Sequence, residues 1–453
     1  MNEQALKSPM VSMFQISLVL SGLIAASFMV IFVSAMSVLA VVLGAAILWL
    51  VIRHPILVLG LLLAQMPFNY LAIMLGNFFG LPLMTVLSSF KDVGLLLVIC
   101  VLLKKNGFRF STPDWYLTGF VILALLHTVA GGGILKGLQY DLEFVLAYLA
   151  GRVAILSAER QQSWARYAVW ICAVVAVLGM IEVFVLGPGP RTIFYTSLTG
   201  EDELSSPFHA GGFEGLRASS TMVGPLEFAA LCMVGLIIWW TYSRNPLPGV
   251  VIAAGLICAV TRSATLGAAV ALVLLAYRMK EWKRLLKCCA VAIILFVVAI
   301  PIVGLGDYLS TSAKGEDLSA ETHRNEIVQG LQYVVSHPLG TGPGSVGPLA
   351  FQRDPNALQI EDTYLAFSAQ YGFLAAGCFI GFLWGALRLV WADATPLGQV
   401  STGILVGTAM VMFVLLIHQD FRLACWVWFP VGLAVRSFVN KSDSGLAGQQ
   451  AKA

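Results

Sequence analysis

Charge is scarce in this chain. Asp, Glu, Lys and Arg make up 11% of its 453 residues, against 58% hydrophobic residues and a mean hydropathy of +0.85. Soluble domains carry roughly 25% charged residues, so the shortage excludes an ordinary water-soluble globule and points to a polytopic membrane protein. The net charge of +3 is too small to suggest a nucleic-acid partner. The opening MNEQALKSPM lacks the basic stretch and cleavage site of a removable signal peptide, and reads as a short cytoplasmic lead. Cysteine is missing from both long polar segments, and the eight present form no CxxC pair or disulfide framework, which leaves them as apolar packing. None of the six histidines has metal-ligand spacing such as HExxH, so no catalytic metal and no cofactor are expected. His127, inside an apolar run, reads as a hydrogen-bonded core residue.

Apolar runs fill most of the sequence. A spanning helix needs about 20 apolar residues. The uncharged run from Val11 to Ile52 holds two, and further runs follow at 55–74, 83–103, 115–134, 139–156, 167–187, 223–242, 247–261, 263–279, 287–305, 361–390, 397–417 and 423–438. The expected fold class is an all-α membrane protein of about 12–14 spans, forming one integral membrane domain over residues 1–453. Basic residues set its orientation. With the N-terminus inside, the cytoplasmic loops collect Arg53, Lys104, Lys105, Arg109, Arg160, Arg166, Arg244, Arg388 and the RMKEWKRLLK run at 278–287, while the short outer turns hold Lys136, Arg262 and Arg422. Both termini, including the polar tail 440–453, are then cytoplasmic. Two long polar loops, 188–222 and 306–359, face the periplasm or exterior.

Arginines on the outer side run against the positive-inside bias. Arg217 lies in GLRASSTMVGPLEFA just before a span, and Arg262 lies in the turn of AVTRSATLGAAV. Arg324 opens the amphipathic SAETHRNEIVQGLQYVV, where helical spacing puts it on one face with Val328, Leu331 and Val335, toward the apolar side. Snorkelling anchors or solvated loop charges are one reading of the three. The other is a diphosphate clamp, because a guanidinium offers bidentate donors and stays charged when partly desolvated. Downstream, the backbone N–H groups of SHPLGTGPGSVGPL are candidates for cradling an anion. Glu361 and Asp362 then open a long span. They read either as helix-start carboxylates or as a general base, with Asp362 slightly preferred and His323, beside Arg324, held as a further candidate.

The order of these features resembles the bacterial O-antigen polymerase and O-antigen ligase superfamily. The resemblance runs from about Arg217 to Gly377 and rests on RASSTMVGPLEFA, TRSATLGAAVAL, HRNEIVQGLQYVVSHPLGTGPGS and EDTYLAFSAQYGFLAAG. It implies a class C-like membrane glycosyltransferase with a large periplasmic loop in the bacterial inner membrane, using an undecaprenyl-diphosphate-linked glycan donor and acceptor without a metal or nucleotide sugar. It also implies membrane lipids, a chain-length regulator and a repeat-unit flippase as partners. Ligases of this group carry His-Asn where this chain has Glu361-Asp362, a departure that favours a polymerase of O-antigen or exopolysaccharide repeats. Transfer to lipid A-core or protein is the sister alternative. A transporter or flippase is the non-enzymatic rival. It draws on Lys91, Asp92, Asp141, Glu143, Arg152 and Glu182 within apolar runs, but pairing between neighbouring spans explains these as well, and no internal repeat accompanies them.

Overall fold

A computed structural model describes residues 44–46, 48–78, 83–131, 135–187, 189, 216–303, 318–354 and 356–443. Residues 188 and 190–215 of the first polar loop, residues 306–317 and 355 of the second, and most of the run before Ile52 lie outside them. The chain divides into two units, Met1–Leu59 and Gly60–Ala453, and the helices from Asn69 onward all belong to the second.

Helices are the only regular elements among the described residues. They are α1 Pro55–Gln65, α2 Asn69–Phe78, α3 Leu83–Asn106, α4 Thr112–Gly131, α5 Leu135–Val153, α6 Ala158–Ile181, α7 Pro225–Tyr242, α8 Pro246–Cys258, α9 Arg262–Met279 and α10 Trp282–Val303. After them come α11 Leu318–Ser336, the short α12 Pro348–Phe351, α13 Thr363–Ala392, α14 Pro396–Val411 and α15 Phe421–Asp443. A helix stands at every expected span from residue 55 onward. Seven helical segments are long and apolar enough to cross a membrane: Pro55–Gly76, Ala158–Leu186, Pro225–Tyr242, Arg262–Met279, Trp282–Pro301, Thr363–Ala392 and Phe421–Lys441. The higher expected count is not reached among the described residues. Helices α8 and α14 have 13 and 16 residues, too short for a straight span, and α3 and α5 each carry four charged side chains.

Apolar side chains point outward as well as inward. On α10, Ile293, Ile294, Val297 and Val298 are each more than half exposed. Each would cost about 1.5–3 kcal/mol left in water rather than buried, whereas lipid accepts them. Between helices, small residues permit close approach. Gly151 on α5 and Gly432 on α15 face each other so tightly that a Cβ on either would overlap the other helix's backbone.

Charges inside the bundle are paired. Lys91 bridges Glu143 and Asp92 at 3.2 Å each, and Arg152 meets Asp114 at 2.7 Å. Fully buried Asp141 accepts from Tyr371 Oη, Gln419 Nε2 and His418 Nε2 at 2.7, 2.8 and 3.1 Å, tying α5 to α13 and to the turn before α15. Such pairing between helices removes much of the reason to read these residues as a transport path. His127 bonds the carbonyls of Leu123 and Leu339 as a hydrogen-bonded residue, but it is half-buried and not in the core.

The two ends of the bundle differ. At one, arginines cap helix C-termini, where carbonyls lack partners. Arg436 donates to Asn106 O at 2.7 Å, and Arg284 to Trp240 O and Ser243 O at 2.6 and 2.7 Å. Arg278 donates to Asp393 O at 3.0 Å. Lys104 and Lys105 lie in the last turn of α3, Lys280 caps the C-terminus of α9, and Lys283 follows at the start of α10. At the other end lie Arg217, Arg262, His323, Glu361 and Asp362.

Candidate functional site

Two turns carry the arginines, and both are backbone-strained. Residues 216–224 lead into α7 as an irregular segment in which Ser220 adopts φ +55°. Between α8 and α9, Val260 adopts φ +49°, an outlier for a β-branched residue. The turns are stitched together: Ala218 N–H donates to Cys258 O at 3.0 Å and Arg217 Nε to Ala259 O at 3.2 Å. Arg262 opens α9 immediately after, with an exposed side chain.

A buried carboxylate holds the first turn in place. Glu182 Oε2 accepts Ser219 N–H and Ser220 N–H at 2.8 and 2.5 Å, and Ser220 Oγ donates to Val175 O at 2.6 Å. Glu182 begins a π-helical turn, Glu182–Leu186, at the end of α6, and such bulges often mark functional sites. It therefore positions Arg217 through the backbone of the segment. Removing it strands two backbone donors in a partly dry setting, at about 1–3 kcal/mol each. Glu182→Ala is expected to lower the melting temperature. Glu182→Gln, which keeps an acceptor oxygen, is expected to restore most of it in paired thermal melts.

The second half of the site comes from α11 and the segment before α13. Helix α11 packs through Gly330 and Val334 onto Ile360 and Leu365. This turns His323 and Glu326, one helical turn apart, toward Glu361. His323 Nδ1 lies 3.5 Å from Glu326 Oε2 and 3.8 Å from Glu361 Oε2, with all three residues half-buried. Burial pushes the Glu361 carboxyl above its ordinary range; the Glu326 charge adds to this and His323 opposes it. His323 is itself raised, chiefly by its hydrogen bond with Glu326 and against its burial, and Arg262 is close enough for its charge to pull the other way. One nitrogen and two carboxylate oxygens of the cluster lie within 4.8 Å of one another, a spacing that also suits a cation.

Asp362 points elsewhere. Its Oδ1 accepts Leu365 N–H at 2.8 Å, making it the N-cap of α13, and burial pushes its carboxyl up to about 6 against those backbone bonds. Arg324 is exposed on the outer face of α11 with Val328, Leu331 and Val335, and among the described residues it makes no ion pair. The apolar face of its helix is thus exposed. So Arg217 and Arg262 sit on adjoining turns, Arg262 lies within electrostatic reach of His323, and His323 faces Glu361, while Asp362 and Arg324 point elsewhere.

The glycine-rich loop corrects an expectation. Its amides are not open to an anion, because Thr341 N–H and Gly342 N–H donate to Ala369 O and Gln370 O at 3.0 and 2.8 Å, and Gly344 N–H to Gln370 Oε1. The loop instead fills a kink in α13 at Gly372, φ +81°, where Gly340, φ +83°, passes too close to Gln370 O and Gly372 N for any Cβ.

Sequence reasoning missed Glu326 and the anchoring role of Glu182. The i, i+3 spacing of His323 and Glu326 was available as a signal, whereas nothing local ties Glu182 to a turn 37 residues away. Chemically, a guanidinium within electrostatic reach of an imidazole and a raised carboxylate can help neutralise an anion and move a proton. No protein-family model matches the chain, and no curated protein matches it.

Proposed function

We propose that the chain is a membrane glycosyltransferase that joins lipid-diphosphate-linked oligosaccharide repeats at the outer face of a bacterial inner membrane. The observation that carries this reading is Arg262, on a turn joined to that of Arg217, within electrostatic reach of half-buried His323 beside Glu361, at the bundle end opposite the helix-capping arginines. The two guanidiniums hold the donor diphosphate. A terminal hydroxyl of a second lipid-linked repeat attacks the anomeric carbon, Glu361 takes its proton, and undecaprenyl diphosphate leaves with the bonding electrons, its growing charge met by the arginines. Arg324 anchors α11 among lipid headgroups, and Asp362 holds the start of α13.

The Lys- and Arg-rich end is assigned to the cytoplasm by the positive-inside bias, which puts the Glu361 end outside. Accessibility tests this. With the eight native cysteines replaced, Asp354→Cys is expected to react with an impermeant thiol reagent in cells whose outer membrane is permeabilised, and Lys283→Cys is not. The reversed pattern would put the site on the wrong side for a translocated glycan. The choice of acceptor is tested with purified protein and a single lipid-linked repeat. A polymerase lengthens it with no other acceptor present, whereas a ligase does not.

A further inference from the structure

We propose that His323, Glu326 and Glu361 form a site for a divalent transition-metal ion of the Zn2+ type, and that an ion bound there silences the enzyme by occupying the carboxylate that serves as its base. The second half of this statement rests on the role given to Glu361 above; the first does not.

Geometry is the main argument. Zn2+ sits about 2.0–2.2 Å from nitrogen and oxygen ligands, so tetrahedral donors stand about 3.3–3.6 Å apart. The His323–Glu326 and His323–Glu361 separations of 3.5 and 3.8 Å already approach this, and the whole set fits within 4.8 Å. Half-buried side chains on a surface helix and a connecting segment can close the remaining few tenths of an ångström, or about 1 Å between the carboxylates, by rotamer adjustment.

Charge points the same way. Two carboxylates from segments 35 residues apart are pressed against one imidazole, and like charges so placed repel unless a cation lies between them. A proton on His323 supplies one positive charge, and a divalent ion supplies two. The donor set selects the ion, since an imidazole nitrogen favours Zn2+ over Mg2+ or Ca2+. Three protein ligands leave a fourth position open to water. Once Glu361 coordinates the metal, the cation's charge lowers the basicity of the carboxylate, and it no longer serves as a base for an incoming hydroxyl.

Titration calorimetry on detergent-purified, tag-free protein tests binding, using Zn2+, Mg2+ and Ca2+ in turn. One equivalent of Zn2+ is expected to bind wild type, with at least ten-fold weaker binding in Glu326→Gln and His323→Gln and unchanged binding in His337→Gln. Thermal melts confirm that each variant is folded. No Zn2+ binding by folded wild type, or undiminished binding in both site variants, would overturn the site. Mg2+ binding as tight as Zn2+ would overturn the imidazole as a ligand. Polymer formation is then followed with and without Zn2+, and a loss that a chelator reverses supports the silencing. If Zn2+ binds at these three residues and the rate does not fall, the metal site stands and Glu361 is not the base.

Discussion

Glu361→Gln is expected to reduce polymer formation by about 10²- to 10⁴-fold in a protein that folds as well as wild type. The carboxyl is half-buried and raised above its ordinary range by burial and by Glu326, which makes it a better proton acceptor than an exposed glutamate. Glutamine keeps the shape and loses the negative charge that makes the carboxylate basic enough to take the proton. Asp362→Asn is the matched control. Asparagine caps a helix as well as aspartate does, so the start of α13 survives and the rate is expected to stay within a factor of ten. The acid limb carries a second signature. Glu361 works ionised, so the rate rises as pH climbs through its raised pKa. Glu326→Gln removes a charge that raises it and should move that limb to lower pH. Rates in detergent across a pH series read both effects. Full activity in Glu361→Gln, or a dead Asp362→Asn, would reverse the assignment of the two carboxylates.

The arginines are expected to separate by position. Arg217→Lys and Arg262→Lys keep the charge and lose the planar fork, and each should cost about 10²- to 10³-fold, the usual loss for one transition-state donor. Arg217→Lys also gives up the Nε bond to Ala259 O that joins the two turns. Arg324→Lys should fall within a few-fold of wild type, because a lysine on the exposed face of α11 anchors at a headgroup as well as an arginine does. The apolar face that Arg324 shares with Val328, Leu331 and Val335 is exposed, which leaves its guanidinium outside the Glu361 cluster. Measurements at matched protein levels, with the loss in Arg324→Lys equal to that in Arg262→Lys, would return Arg324 to the site.

Much of the helical order could be read from the chain, because apolar runs and charge breaks are local signals. The starts of α7, α8 and α14 follow directly from Pro225, Pro246 and Pro396 at their first turns. The orientation of α11 could not be read in the same way. Its pattern shows two faces, but a membrane inverts the usual rule, so hydrophobicity does not say which face meets the protein. The glycine loop misled for a related reason: its free amides are consumed by Ala369 and Gln370 on a helix that its own residues do not reveal. Asp362 and Glu361 are neighbours in sequence and similar in chemistry. Only the turn into α13 shows that one caps a helix while the other faces His323. Glu182 looked like an intramembrane charge until Ser219 and Ser220 were seen to donate to it.

The most direct test of glycosyl transfer from a lipid diphosphate is to measure the leaving group. Purified protein in detergent is given a lipid-linked repeat of known structure, and released lipid diphosphate is quantified alongside new glycosidic linkages. The account predicts one lipid diphosphate per linkage formed, with both products lost together in Glu361→Gln and Arg262→Lys. Linkages formed without release of lipid diphosphate, or no turnover by folded wild-type protein on any lipid-linked repeat tried, would contradict it.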